Sequence, residues 1–177
     1  MNTSQLSKVA YRFTPDLLVL DNEQRIVLLV RTKGNQEILG RNISEAIDWV
    51  KDANGAIQFT MFADLENIQI FKWDSPNLSE PVCTLNTADV LKPYGLDMND
   101  SWIFSSYLGS RIEIWLRDLN HHWDLENPPA EKEITAIGLL PLLKDVIIQP
   151  SEVEIKIDPE VKYTVLRYYY PRVGWDD

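Results

Sequence analysis

Apolar residues crowd into short runs early in this chain and recur at helical spacing later. Leu17–Leu20 reads LLVL, the polar tetrapeptide Asp21-Asn22-Glu23-Gln24 follows, and residues 25–32 read RIVLLVRT. Two apolar runs split by a polar turn predict a β-hairpin. Gly34-Asn35-Gln36 and Gly40-Arg41-Asn42 predict a flexible link. Asn42 followed three residues later by Glu45 has the form of a capping box, and Ile43, Ala46, Ile47 and Val50 fall on one helical face. Asn54-Gly55 is a helix stop. Residues 56–62 (AIQFTMF) predict a buried strand, 64–67 a turn, and 68–73 (IQIFKW) an alternating strand.

The later pattern is more helical. Residues 74–93 carry three prolines and many small polar residues, which predicts a loop-rich connection. Asp100-Ser101 is placed to cap a long helix over 102–122, with Phe104, Leu108, Ile112, Trp115 and Leu119 on its apolar face. Asn127-Pro128-Pro129 breaks the chain, and 134–147 predicts a second apolar helix kinked at Pro141. Residues 152–170 alternate around Asp158-Pro159-Glu160, which predicts a C-terminal β-hairpin with Glu152, Glu154 and Lys156 toward water. Residues 1–12 are polar and predict a short helix or an arm. The expected fold is α/β: a mixed β-sheet flanked by helices, with the first helix as a right-handed crossover to a parallel strand. One domain over 1–177 is expected, with a core at 11–74, a helical pair at 100–148 and a terminal hairpin at 151–171.

Composition narrows the partners more than the fold. The hydrophobic fraction of 45% is globular, and six tryptophans and seven tyrosines leave aromatics for both core and contact surface. The net charge of -10 opposes unaided binding to nucleic acid, where phosphate neutralisation carries much of the affinity. With one cysteine, Cys83, no internal disulfide can form. The opening residues lack a signal-peptide core, and no apolar run reaches the roughly 18 residues of a membrane span. A cytoplasmic setting away from the membrane is expected.

The chemistry-bearing pattern lies in the first hairpin. Pro15-Asp16 opens it and Arg31-Thr32-Lys33 closes it. Strand alternation puts Arg31 and Lys33 on one face, within reach of Asp16 if the strands pair. Pro-Asp, a turn, an apolar strand closing on x-x-Lys, and then a helix together resemble the PD-(D/E)XK nuclease superfamily. The likeness is nearest to the domain that opens the motor subunit of type I restriction enzymes, and to compact bacterial proteins sharing that module. It covers roughly 11–73. Asp16 matches the first metal-binding acid and Lys33 the family lysine. Arg31 stands where the second acid belongs, Glu45 and Trp49 stand for the helical Gln and Tyr, and Met61-Phe62-Ala63-Asp64 replaces Thr-Asn-Gly.

The resemblance implies a restriction-endonuclease-like sheet and, in an active member, Mg²⁺-dependent hydrolysis of DNA. Asp16 would then hold the metal and Lys33 would orient water. Arg31 works against this. A cation about 5 Å from Mg²⁺ is repelled by about 7 kcal/mol at an effective dielectric near 20. Two outcomes stay open. Glu45, or else Asp48 or Glu37, replaces the missing acid, Asp16 and Glu45 hold the metal, and Arg31 clamps a phosphate. Alternatively, Arg31 pairs with Asp16 in place of a metal, and the chain is a degenerate scaffold for a protein partner. Beside both stands the plain reading of ordinary surface charges.

Other candidates are weaker. His121-His122 are neighbours about 100° apart on a helix and suit a solvated helix end better than a metal. The aromatic tail 168–175 (YYYPRVGW) can dock a partner or stack bases, but is read first as cover for the sheet. Trp102 and Trp115 are expected in the core, and Cys83 is expected to be inert.

Overall fold

The structure, a computed structural model, describes residues 11–35, 41–150, 153–157 and 164–167. A six-stranded mixed sheet forms its centre. Strands β2 (Leu17–Leu20) and β3 (Ile26–Thr32) make the predicted antiparallel hairpin, closed by Asp21, whose carboxylate accepts from the Glu23 and Arg25 amides. Helix α1 (Ile43–Asp52) then crosses over, and β4 (Phe59–Ala63) returns parallel to β3. Strand β5 (Asn67–Lys72) folds back antiparallel, with the Asp64 side chain accepting from the Glu66 and Asn67 amides in the turn. Strands β2 to β4 are buried on both faces, which is why they read as continuous apolar runs rather than as an alternation.

The region expected to be loop-rich contains β6 (Cys83–Asn86), which extends the sheet edge beside β5, and a short α2 (Thr87–Leu91) capped by the Asn86 side chain. The long helix α3 spans Ser105–His121 and starts three residues later than the apolar pattern predicts. Residues 100–104 lead into it without helical structure, and Phe104 at its start is extended.

The predicted helix over 134–147 breaks into three pieces. They are α4 (Glu131–Ala136), a 3-10 turn (Leu140–Leu143), and β7 (Ile147–Pro150). Gly138 sits at φ 82, outside the helical region, and Pro141 has no N–H to continue a helix. The β-branched Ile147-Ile148 pair instead lies antiparallel to β2 and completes the sheet order β6-β5-β4-β3-β2-β7.

The expected C-terminal hairpin is present as antiparallel β8 (Val153–Ile157) and β9 (Thr164–Arg167); its turn lies outside the described residues. β1 (Tyr11–Phe13), expected as arm or helix, pairs with β8 to give a separate three-stranded sheet.

The two faces of the large sheet bury different layers. One packs Leu17, Val19, Leu28 and Val30 against Leu108, Ile112, Trp115 and Leu119 of α3. The other packs Leu18, Leu20 and Leu29 against Trp49 of α1 and Ala53 just after it, with Ile155 of the small sheet added. Trp115 is fully buried as expected; Trp102 and Phe104, both assigned to the core by the sequence pattern, are exposed. No helix among the described residues is long and apolar enough to cross a membrane.

Candidate functional site

Antiparallel register places Leu17 opposite Val30, so Asp16 comes opposite Arg31 at the end of the hairpin. The Asp16 amide donates to the Val30 carbonyl at 2.8 Å and extends the ladder by one residue. Strand alternation puts Asp16, Leu18, Leu29 and Arg31 on the α1 face, while Leu17, Val30 and Thr32 face α3. The predicted meeting of Asp16 with a cation at the end of β3 therefore occurs, with Arg31 at 3.6 Å.

Arg31 is the centre of the cluster. Its Nε and Nη2 lie 2.7 and 2.6 Å from Glu45 Oε2, its Nη1 donates to the Thr14 carbonyl at 3.1 Å, and the same Nη1 is 3.6 Å from Asp16 Oδ2. The guanidinium lies 5.0 Å from the centroid of the Trp49 ring, and Trp49 is stacked on Phe13 of the small sheet at 4.6 Å. Only 14% of the Arg31 side chain is exposed.

Helix α1 delivers Glu45 to this point for a local reason. Glu45 is the third residue of the helix, and its Oε1 accepts from the Asn42 amide at 3.3 Å as one arm of the capping box. The cap fixes the rotamer and leaves Oε2 pointing at Arg31.

Asp16 is equally engaged. Its Oδ2 accepts from the Thr32 amide at 2.7 Å, and its Oδ1 pairs with Arg41 Nη1 at 2.5 Å. Arg41 also donates to the Thr32 carbonyl at 3.2 Å. Arg41 was read from sequence only as part of a flexible link. Its one visible signal is that it directly precedes a helix whose first turn carries an acid. Two carboxylates and two guanidinium groups thus cancel in charge at one end of β3.

The remaining candidates lie in different settings. Lys33 is exposed; its amide is tied to the Ala63 carbonyl at 2.8 Å, so its backbone belongs to the parallel β3–β4 ladder. Asp48 is exposed on α1, and Glu37 lies outside the described residues. His122 pairs with Glu131 at 2.8 Å, and His121 contacts Asn120 at 3.1 Å, as suits a helix end. Burial, with the Glu133 charge second, pushes the Cys83 thiol up from its ordinary value and away from the reactive thiolate. The aromatic tail 168–175 lies outside the described residues.

The donor set does not fit a Mg²⁺ ion. Mg²⁺ needs hard anionic oxygen ligands, and the charges of Asp16 and Glu45 are already met by the Arg31 and Arg41 guanidinium groups, whose positive charge would repel the ion. Among the described residues no group of three or more His, Cys, Asp or Glu side chains converges on a common point.

On the α3 face a second polar centre, not anticipated from sequence, is built around Asp118. This residue is fully buried, accepts from the Tyr94 hydroxyl at 2.6 Å, and caps the Asp124 and Leu125 amides at 2.9 and 3.3 Å. Burial pushes its carboxyl up, but the Tyr94 hydroxyl, the two amides and the nearby His122 together hold it below its ordinary value. Burial first, and the hydrogen bond to Asp118 second, push the Tyr94 hydroxyl well above its ordinary range. The centre holds the chain in the turn that follows His122, a left-handed residue at φ 47.

Comparison with family models, with curated proteins and with solved structures returns no match to this chain.

Proposed function

We propose that this chain is a non-catalytic, nuclease-like scaffold that works in the cytoplasm through a protein partner. In this reading the hairpin, crossover helix and following strands keep the arrangement of a PD-(D/E)XK core, while the metal position is filled by the Arg31 guanidinium. One observation carries it: Arg31 reaches both acids that a metal would need, Glu45 at 2.6 Å and Asp16 at 3.6 Å. A planar guanidinium with fixed donors replaces a divalent cation by two charge-assisted contacts and needs no ion from solution. The net charge of -10 supports a protein partner over DNA.

A second reading has one observation in its favour. Glu45 and Asp16 already share one cation, so a movement of Arg31 would leave two carboxylates near one another, with Lys33 at the end of the same strand. That arrangement would be a Mg²⁺-dependent nuclease with Asp16 and Glu45 as metal ligands, Lys33 orienting water and Arg31 clamping a phosphate.

The test uses the purified chain with plasmid and single-stranded DNA in Mg²⁺ and in Mn²⁺, beside thermal melts with and without each ion. The scaffold reading expects no cleavage and an unshifted melting temperature in the native chain. It expects Arg31→Glu to acquire a Mg²⁺-dependent rise in melting temperature, because the substitution removes the internal cation and adds an acid. Cleavage by the native chain that disappears in both Asp16→Ala and Lys33→Ala sinks the scaffold reading in favour of the enzyme.

A further inference from the structure

Six large apolar side chains among the described residues are exposed, and three of them, Met98, Trp102 and Phe104, fall within the stretch 98–104. Trp102 is 64% exposed and Phe104 51%, and their rings lie 6.5 Å apart in a tilted pair. A scattered exposed residue needs no explanation, but a paired Trp and Phe with an exposed Met four residues earlier in the chain is the composition of an interface anchor.

The segment that carries the rings is held, so their exposure is not fraying. Ile103, between them, is fully buried. Its amide donates to Asn35 Oδ1 at 2.9 Å, and its carbonyl accepts from the Asn35 amide at 3.0 Å. Gly34 packs so closely that a Cβ added there would fall 2.0 Å from the Ile103 carbonyl oxygen. Upstream, Asp97 and Asp100 each accept a backbone N–H two residues on, from Asn99 and Trp102. Rings pinned in an exposed position lose little freedom when they are covered, which favours binding.

The charge around the rings selects the partner. Along the chain from Gly95 to Ser110 the charged residues are Asp97 and Asp100, both exposed, while the guanidinium of Arg111, which follows, is turned onto the Tyr94 carbonyl and the Tyr107 ring. Lys33, the exposed cation next to Gly34, alternates to the α1 side of the sheet, away from Ile103. An anionic rim around an aromatic centre repels phosphate and attracts Lys or Arg side chains, whose stems and charges also suit tryptophan.

We propose that the Met98–Trp102–Phe104 surface, rimmed by Asp97 and Asp100, docks a cationic amphipathic segment of another protein. The inference is independent of whether the Asp16–Arg31 cluster is catalytic, since it rests on a different surface and its test reads binding alone.

The experiment is isothermal titration of the full chain with three probes: a short amphipathic Leu/Lys helical peptide, the same peptide with Glu in place of Lys, and single-stranded oligodeoxynucleotide. The Leu/Lys peptide is expected to bind. The affinity should fall about tenfold or more in Trp102→Ala/Phe104→Ala and a few-fold in Asp97→Asn/Asp100→Asn, with both variants melting like the native chain. The Asn variant keeps the turn acceptors and removes only charge. The Glu peptide and the oligonucleotide are expected not to bind. The proposal is overturned if the Leu/Lys peptide fails to bind at up to about 1 mM, or if it binds both variants as it binds the native chain. Oligonucleotide binding lost with the two rings, or a dimer in sedimentation that Trp102→Ala/Phe104→Ala dissolves, likewise replaces it with a nucleic acid or a second copy.

Discussion

Asp16 on the α1 face and Asp118 on the α3 face are both carboxylates drawn out of water, and the fold satisfies them by opposite means. Asp16 lies at the rim, 11% exposed, and is held by Arg41, by the edge of Arg31 and by one amide. Asp118 lies in the closed core and is held by a hydroxyl and two amides. The rim cluster answers charge with charge, and water still reaches part of it. The core site answers charge with oriented neutral dipoles, which do not adjust if the carboxylate is removed. In physical terms the rim is where ions can be exchanged, while Asp118 is a fixed part of the packing. That distinction locates the replaceable chemistry of this molecule at the end of β3.

The largest effect should therefore come from the buried Asp118 centre. Asp118→Ala leaves the Tyr94 hydroxyl and the Asp124 and Leu125 amides without their acceptor inside the core. We expect a loss of about 3 kcal/mol or more, read by urea unfolding. The acid response follows from the direction of the shift. The folded state holds the Asp118 carboxyl below its ordinary value, so between the two values it binds fewer protons than the unfolded chain. The stability it adds is complete above that ordinary value and is lost as pH falls through the lower, folded one. Asp118→Asn should flatten the acid limb of the stability curve below about pH 4. An acid limb that is identical in the native chain and in Asp118→Asn would remove Asp118 from this role.

Arg31→Ala comes next. It leaves Glu45 with its cap alone and Asp16 with Arg41, and it uncovers the Trp49 ring. Breaking a fully buried ion pair costs about 3–5 kcal/mol, but this one touches water, so about 2 kcal/mol is expected. Arg41, at 28% exposure, should cost less on truncation, about 1 kcal/mol. Chemical denaturation of both variants checks the order. If Arg41→Ala proves the more damaging, Asp16 is anchored by Arg41, and Arg31 is free to leave the cluster, which favours the enzymatic reading.

The hairpin, the crossover and the capping box were legible because each rests on local chemistry: an apolar run, a polar turn, and an Asn–Glu spacing that closes on itself. The pairing of Asp16 with Arg31 was legible because register follows from the hairpin. Glu45 was legible as an acid that α1 brings to the strand end, and the group it meets there is a guanidinium. Arg41 was not, since a residue just ahead of a helix shows nothing of the strand end it will touch. Asp118 was hidden for a different reason: a helical Asp that follows Arg117 reads as a solvent position until Tyr94, 24 residues earlier, is folded over it. Trp102 and Phe104 fit the helical period of α3, but the helix begins only at Ser105, so periodicity was projected past its start. The break at Gly138 was signalled by sequence and outweighed by the apolar run that follows, which is a strand at the sheet edge.

The smallest expected effect asks whether the two faces communicate. Thr32 is fully buried, and its peptide group joins both sides of the sheet. Its amide holds Asp16, and its carbonyl accepts from Arg41 at 3.2 Å and from the Ser105 hydroxyl at 3.1 Å. Its own hydroxyl donates to the Ser105 carbonyl at 3.0 Å, and the Ser105 hydroxyl accepts from the Gly34 amide at 3.2 Å. Ser105→Ala removes one donor and one acceptor and should cost about 1 kcal/mol. Because Arg41 and Ser105 donate to the same carbonyl, each partly covers the loss of the other. The double variant with Arg41→Ala should therefore cost about 0.5 kcal/mol more than the sum of the singles. The four proteins of that cycle, unfolded in urea side by side, decide it. Simple additivity would mean that the rim cluster and the α3 face share a strand but no energy, and that a partner docked beside Ile103 could not be felt at Asp16.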